Sequence, residues 1–154
     1  MSLLSERTKA PAINGKNQNG ESLTLDQFKG KKLILYFYPK DNTPGCTAES
    51  CNLRDEYEML LDKGFEVVGV SPDNEASHQK FITKHSLPFN LIADTDKTIL
   101  KAYGAWGQKK LYGREYEGVL RTTYIINENG IIEKVFKKVK TKEHVEQILK
   151  EMEE

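Results

Sequence analysis

Little in this chain serves as covalent or metallic reinforcement. Its 154 residues hold two cysteines and three histidines, with no C-x-x-C and no H-x-x-x-H spacing. The common disulfide scaffolds and zinc modules are therefore without their frameworks. Charge of one sign is not in excess either. Lys plus Arg and Asp plus Glu both number 23, so no overall field draws the chain to nucleic acid or to an anionic membrane. The basic run Lys137-Lys138-Val139-Lys140 reads as a solvated strand end. No apolar run approaches the roughly 20 residues that a membrane helix needs. Residues Met1 to Arg7 are too short and too soon charged for a signal peptide, so a cytoplasmic location with thiols reduced at rest is expected. The phosphate-binding G-x-x-x-x-G-K-[ST] loop, the dinucleotide fingerprint and the G-x-S-x-G elbow are absent, as are repeats, low-complexity tracts and linkers.

What is present fits one soluble domain over residues 1–154, long enough for a proper core. Asn19-Gly20 is a hairpin turn signal near the N-terminus, followed by apolar anchors Leu23, Leu25 and Phe28. Leu33 to Tyr38 is almost continuously apolar, the pattern of a central strand buried on both faces. Thr47 to Lys63 carries Leu53, Tyr57, Leu60 and Leu61 at helical spacing and stops at Gly64. Phe65–Ser71 and Phe89–Ala93 read as further strands. Between them Ser71-Pro72-Asp73 reads as a helix start, with Phe81 and Ile82 on its inner face. Lys97 to Tyr103 reads as a short helix and 104–118 as a long, glycine-rich surface loop with Trp106, Tyr112 and Tyr116. Thr122–Asn127 and Ile131–Val139 read as a hairpin around Glu128-Asn129-Gly130. Thr141 is the expected cap of a last helix with Val145, Ile148, Leu149 and Met152 inward. Strand–helix alternation followed by a hairpin and helix predicts an α/β fold with a mixed central sheet flanked by helices.

The chemistry gathers in Pro39-Lys40-Asp41-Asn42-Thr43-Pro44-Gly45-Cys46, with Cys51 five residues on. A thiol at a strand-to-helix turn meets backbone N–H groups and the positive end of the helix dipole. Free thiols ionise near pH 8.5, and such surroundings are what turn cysteine into a nucleophile at neutral pH. Pro39 has no N–H and can shield a thiolate without competing for it, or it merely ends the strand. Pro44 presets the first helical turn. Thr43 can cap that helix or contact sulfur and an incoming oxygen, and both roles can hold together.

Pro39, Thr43 and Cys46 reproduce the P-x-x-x-T-x-x-C signature of the peroxiredoxins, the thiol peroxidases. The Cys46-x-x-x-x-Cys51 spacing and the segment Tyr112 to Thr123 resemble the bacterioferritin comigratory protein or peroxiredoxin Q subgroup, and the likeness runs from Lys9 to the C-terminal helix. The resemblance implies a thioredoxin-like fold and a cofactor-free peroxidase. Cys46 would attack hydrogen peroxide or an organic hydroperoxide and become a sulfenic acid. Cys51 would resolve it as a disulfide that thioredoxin reduces. Arg121 matches the family's active-site arginine, and Glu49 the glutamate that orients it. A glutamate one helical turn in is also favourable to the dipole alone, and Cys51 by itself reads equally as a small buried residue. The subgroup implies a monomer or weak homodimer.

Two other readings compete. A thioredoxin-like disulfide reductase would carry C-x-x-C rather than C-x-x-x-x-C. A metal-binding or redox-sensing module would draw on the cysteines with His78, His85 and His144, which otherwise read as exposed helix residues. Trp106 reads either as a flank of the active site or as a loop anchor.

Overall fold

The computed structural model describes residues 4–152. Asn14–Lys16 (β1) and Ser22–Thr24 (β2) form an antiparallel N-terminal hairpin whose turn uses Gly20 at φ 75°, as Asn19-Gly20 predicts. A short 3-10 turn, Leu25–Phe28, then leads into Lys32–Phe37 (β3). Phe65–Ser71 (β4) pairs parallel with it and Asn90–Ala93 (β5) parallel with β4, while Thr122–Ile126 (β8) pairs antiparallel with β3 and Ile132–Phe136 (β9) antiparallel with β8, in the order β5-β4-β3-β8-β9. The mixed central sheet is thus the expected one. β3 lies at its middle, and Leu33 to Tyr38 are all buried, which is why the strand shows no polar alternation.

The residues of β3 alternate between two apolar layers. Leu33, Leu35 and Phe37 face a layer with Ala10, Ile13, Leu23, Ile99, Leu100 and Tyr103. Ile34, Tyr36 and Tyr38 face Leu53, Leu60, Phe81, Val145 and Ile148. The second layer is covered by Pro44–Asp55 (α1), Tyr57–Asp62 (α2), Glu75–His85 (α3) and His144–Met152 (α5). The first is covered by Thr98–Ala102 (α4) and the N-terminal hairpin. Gly69 of β4 is required at a close approach, because a Cβ there would lie 2.7 Å from both Leu91 Cδ2 and Tyr36 Cζ.

Several local readings are corrected. The helix expected over Thr47 to Lys63 is two, divided at Glu56, whose φ of −108° and ψ of 11° end α1. α3 begins at Glu75 rather than at Pro72. Its cap is Asn74, whose side chain accepts from Ser77 N at 2.8 Å. Thr141 does not cap the last helix, which starts three residues later at His144. Residues 104–118 are not a loop. Trp106–Leu111 (β6) and Arg114–Val119 (β7) pair as an antiparallel ribbon, joined by Tyr112 and Gly113 at φ 52° and 78°. Two successive positive φ values match the right-handed twist of the flanking strands. Trp106 anchors this ribbon. Its indole donates to Glu117 Oε2 at 3.0 Å, and Lys97 Nζ sits 5.1 Å from its ring centroid.

Candidate active site

α1 starts where β3 ends, so its N-terminus opens at the carboxyl edge of the parallel strands, the usual place for a site in such sheets. Thr43 takes the N-cap position in extended conformation, with Pro44 in the first turn. Cys46, in that same turn, is fully buried. The antiparallel register pairs Phe37 at the end of β3 with Thr122 at the start of β8. That pairing carries Arg121 from far along the chain to the cysteine.

Arg121 bridges two groups. Its Nη2 donates to Cys46 Sγ at 3.1 Å and its Nη1 to Glu49 Oε1 at 2.7 Å. Burial opposes the charge of Arg121, but Glu49 and Cys46 outweigh it and hold the guanidinium above its ordinary value. Glu49 is fully buried, and burial, only partly offset by Arg121, raises its carboxyl to a pKa of about 7. A guanidinium donor aimed at sulfur supports negative charge there.

The remaining residues of the sequence signature lie on the segment that joins β3 to α1. Pro39 is half-buried two residues beyond β3. Thr43 is half-buried, and its hydroxyl donates to Lys40 O at 2.8 Å rather than to the sulfur, which leaves its lone pairs free to accept. Cys51 is half-buried in the same helix, and both thiols are free. Ideal helical geometry puts Cα atoms five residues apart at about 8–9 Å, beyond the roughly 7 Å limit for a disulfide.

Two histidines contradict the exposed-helix reading. His78 and His144 are fully buried, and His85 is half-buried. His78 lies 2.7 Å from Asp41 Oδ2 through Nδ1 and 2.9 Å from Ile92 O through Nε2. Asp41 also accepts from Tyr38 Oη at 2.6 Å and Ser77 Oγ at 2.8 Å, so this network ties the loop before Thr43 to α3. His144 comes from α5 to the floor of the cysteine site, where its Nε2 is 3.7 Å from Glu49 Oε2 and 2.8 Å from Thr123 Oγ1. Sequence reasoning missed both. The available signal was position, since His144 shares a helical face with buried Ile148, and His78 with buried Phe81. Among the described residues, the one group of three possible metal-ligating side chains is Asp41, Asp73 and His78. It holds no cysteine, and its ligand atoms already share hydrogen bonds with Tyr38, Ser71, Ser77, the Asp41 amide and Ile92 O.

No helix among the described residues is long and apolar enough to cross a membrane. Residues 7–135 match the AhpC/TSA family model. Peroxiredoxin Bcp of Bacillus subtilis is 44% identical over 149 residues, covering 95% of each chain. Peroxiredoxin Bcp of Escherichia coli K12 is 38% identical over 140 residues, 91% of this chain and 90% of that one. The bacterioferritin comigratory protein of Xanthomonas campestris, studied for alkyl peroxide reduction, superposes with a TM-score of 0.85 at 30% identity, over 92% of this chain and 90% of its own. PrxQ of Xylella fastidiosa does so with a TM-score of 0.86 at 28% identity, over 97% and 98%. The thioredoxin-like fold that the resemblance implies is that of these neighbours, and the chain belongs to the AhpC/TSA family, as a peroxiredoxin of the Bcp and peroxiredoxin Q kind with the peroxidase activity that the class carries.

Proposed function

We propose that this protein reduces hydrogen peroxide and organic hydroperoxides at Cys46, resolves the product with Cys51, and is recycled by thioredoxin or a similar dithiol. The observation that carries the reading is the Arg121 bridge to Cys46 Sγ and Glu49. The alkyl peroxide chemistry studied in the Xanthomonas relative supports the organic substrates.

The thiolate attacks one peroxide oxygen in line. An S–O bond forms, the O–O bond breaks, and hydroxide or alkoxide leaves and takes a proton. Negative charge grows on the departing oxygen as it leaves. Arg121 and the N–H groups of Gly45 and Cys46, which lie in the first turn and have no intrahelical carbonyl to meet, stabilise it. The lone pairs of Thr43 accept from the peroxide O–H and orient it. Pro39 shields the sulfur and offers no competing donor. Glu49 holds Arg121 in place. Cys51 then attacks the sulfenic sulfur, the S–S bond forms and water leaves. The α1 turn must open for that step, because both cysteines are helical in the reduced protein. Two thiols that work by reduction and reoxidation suit a reducing compartment such as the cytoplasm. The disulfide forms within one chain, so a single-domain monomer or a weak homodimer suffices.

Peroxide consumption coupled to thioredoxin tests this. Cys46→Ser is expected to abolish turnover. Cys51→Ser is expected to keep the first oxidation and to lose most thioredoxin-linked recycling. Undiminished peroxide consumption by Cys46→Ser would overturn the assignment of the nucleophile.

A further inference from the structure

Glu49 Oε2 is the one buried side-chain oxygen or nitrogen among the described residues with no hydrogen-bond partner. Such an atom is costly to leave unmet. It faces Nε2 of His144 at 3.7 Å. The proton state of that histidine follows from its other contacts. Nδ1 lies 3.0 Å from Gln147 Oε1, an oxygen that also accepts from Lys140 N at 3.0 Å, while Gln147 Nε2 donates to Lys138 O at 2.7 Å. The amide is thereby oriented, and Nδ1 must carry hydrogen. Burial drives His144 down to a pKa of about 4, so it is neutral near physiological pH and Nε2 is an acceptor, met by the Thr123 hydroxyl at 2.8 Å. Nε2 has one lone pair, and the rotatable Thr123 hydroxyl frees it by turning away, so a hydrogen on the unpartnered carboxyl oxygen finds an acceptor facing it.

Charge balance asks for the same hydrogen. Arg121 touches two groups able to be anionic, the sulfur of Cys46 and the carboxyl of Glu49. No other Lys or Arg nitrogen among the described residues comes within 4.0 Å of that carboxyl. One guanidinium cannot neutralise two buried anions, and an uncompensated buried charge is strongly unfavourable. A proton on Oε2 removes one anion and supplies the missing donor together.

We propose that Glu49 carries a proton on Oε2, held toward Nε2 of His144, in the reactive thiolate form of the site, which makes His144 a positioning residue that leaves the charge of Arg121 to the sulfur. The proposal rests on the reading of Cys46 and Arg121 as the peroxide site. It also closes the charge count across the reaction. Before attack the site holds a thiolate, a guanidinium and a neutral carboxylic acid. Afterwards it holds a neutral sulfenic acid, a guanidinium and a carboxylate. One proton is lost from Glu49 for the one gained by the leaving oxygen, so the pocket is neutral at both ends. The groups facing Glu49 are Cys46 on its own helix, Arg121 before β8, His144 on α5 and Tyr36 on β3. The Tyr36 phenol is kept neutral because burial holds its pKa well above the usual range.

The test is the pH profile of the peroxide reaction under single-turnover conditions, read by the loss of free Cys46 thiol. In the wild type the rate declines on the basic side as Glu49 ionises near pH 7 and divides the charge of Arg121. In Glu49→Gln, which keeps a neutral side chain of the same shape, that decline disappears. In His144→Phe it moves about one pH unit or more toward acid because the proton loses its acceptor, and His144→Gln restores part of the shift. Profiles identical in all four forms overturn the proposal. A second reading does not depend on the buried variants folding. The infrared spectrum of reduced wild type on the acid side of neutrality should show a carboxylic-acid C=O band that vanishes when Cys46 is oxidised to the sulfenic acid in Cys51→Ser. A carboxyl band unchanged by oxidation sinks the proton on Glu49. If Cys46 is still required for peroxide consumption in those experiments, only the proton assignment fails. If it is not required, the peroxide site itself is wrongly assigned.

Discussion

Oxidising the reduced protein with one equivalent of hydrogen peroxide is expected to unwind the first two turns of α1. The reason is reach. Cα atoms five residues apart in a helix are about 8–9 Å apart, and a disulfide needs them within roughly 7 Å. Pro44 to Cys51 is two-thirds of α1, and Glu49 lies inside that stretch. Unwinding therefore breaks both hydrogen bonds of Arg121, to Cys46 at 3.1 Å and to Glu49 at 2.7 Å. Hydrogen bonds to charged groups contribute about 1.5–3 kcal/mol each, so about 3–6 kcal/mol is lost. Cross-linking so short a loop returns about 2 kcal/mol by limiting the unfolded chain. The disulfide form should be about 1–4 kcal/mol less stable, which for a chain of this length lowers Tm by about 3–12 °C. Differential scanning calorimetry of the reduced and oxidised forms gives the shift. Amide exchange resolved to peptides should show protection lost over 44–53 and kept over β3 and β4. An oxidised protein with the same or higher Tm and unchanged exchange over α1 would refute this geometry.

Arg121→Ala should slow the reaction of Cys46 with peroxide by about 10²–10³-fold through the loss of one charged donor, measured as a second-order rate at fixed pH. Gly69→Ala places a Cβ 2.7 Å from Leu91 and Tyr36 in the middle of the sheet. Overpacking there should cost about 1–3 kcal/mol in urea unfolding, with little effect on peroxide chemistry per folded molecule. Glu49 contributes a pH dependence of defined sign. Its folded pKa is raised from 4.5 to about 7, so its contribution is fully present below about pH 4.5 and is lost as pH rises through about 7. His144, lowered from 6.5 to about 4, works in the opposite sense, with its contribution present above about 6.5 and lost as pH falls through about 4. Comparing Glu49→Gln with wild type isolates the first effect. The difference in stability should shift in favour of the variant by about 3 kcal/mol between pH 4.5 and 7, at about 1.4 kcal/mol per unit. A constant difference across that range would show that Glu49 does not titrate as its burial implies.

The legible parts of this molecule were those where local pattern and tertiary role coincide. Leu33 to Tyr38 shows no polar alternation because both faces of β3 are covered, and a continuous apolar run is the form that such burial takes in sequence. The Cys46 turn was legible because proline, threonine and cysteine at fixed spacing meet a backbone need, a strand end followed by a capped helix. The β6–β7 ribbon was not legible. Gln108, Lys110, Arg114, Glu115 and Glu117 are exposed, so there is no inward face to set an alternation. Its turn uses Tyr112 before Gly113 instead of asparagine or aspartate. The buried histidines escaped for another reason. What distinguishes His144 is a partner 95 residues away on α1, and what distinguishes His78 is a carboxylate in the active-site loop. Neither juxtaposition exists until the sheet has formed. Arg121 shares that property. Alone it reads as one more surface arginine, and only the register of β8 against β3 brings it to sulfur.

Intact mass after brief exposure of the reduced protein to one equivalent of hydrogen peroxide tests the two-cysteine cycle most directly. Loss of two hydrogens, with the bond mapped to Cys46 and Cys51, is the predicted result. Gain of one oxygen that persists without a disulfide would leave Cys46 as the nucleophile and contradict resolution by Cys51, and an unchanged mass would contradict the peroxide chemistry altogether.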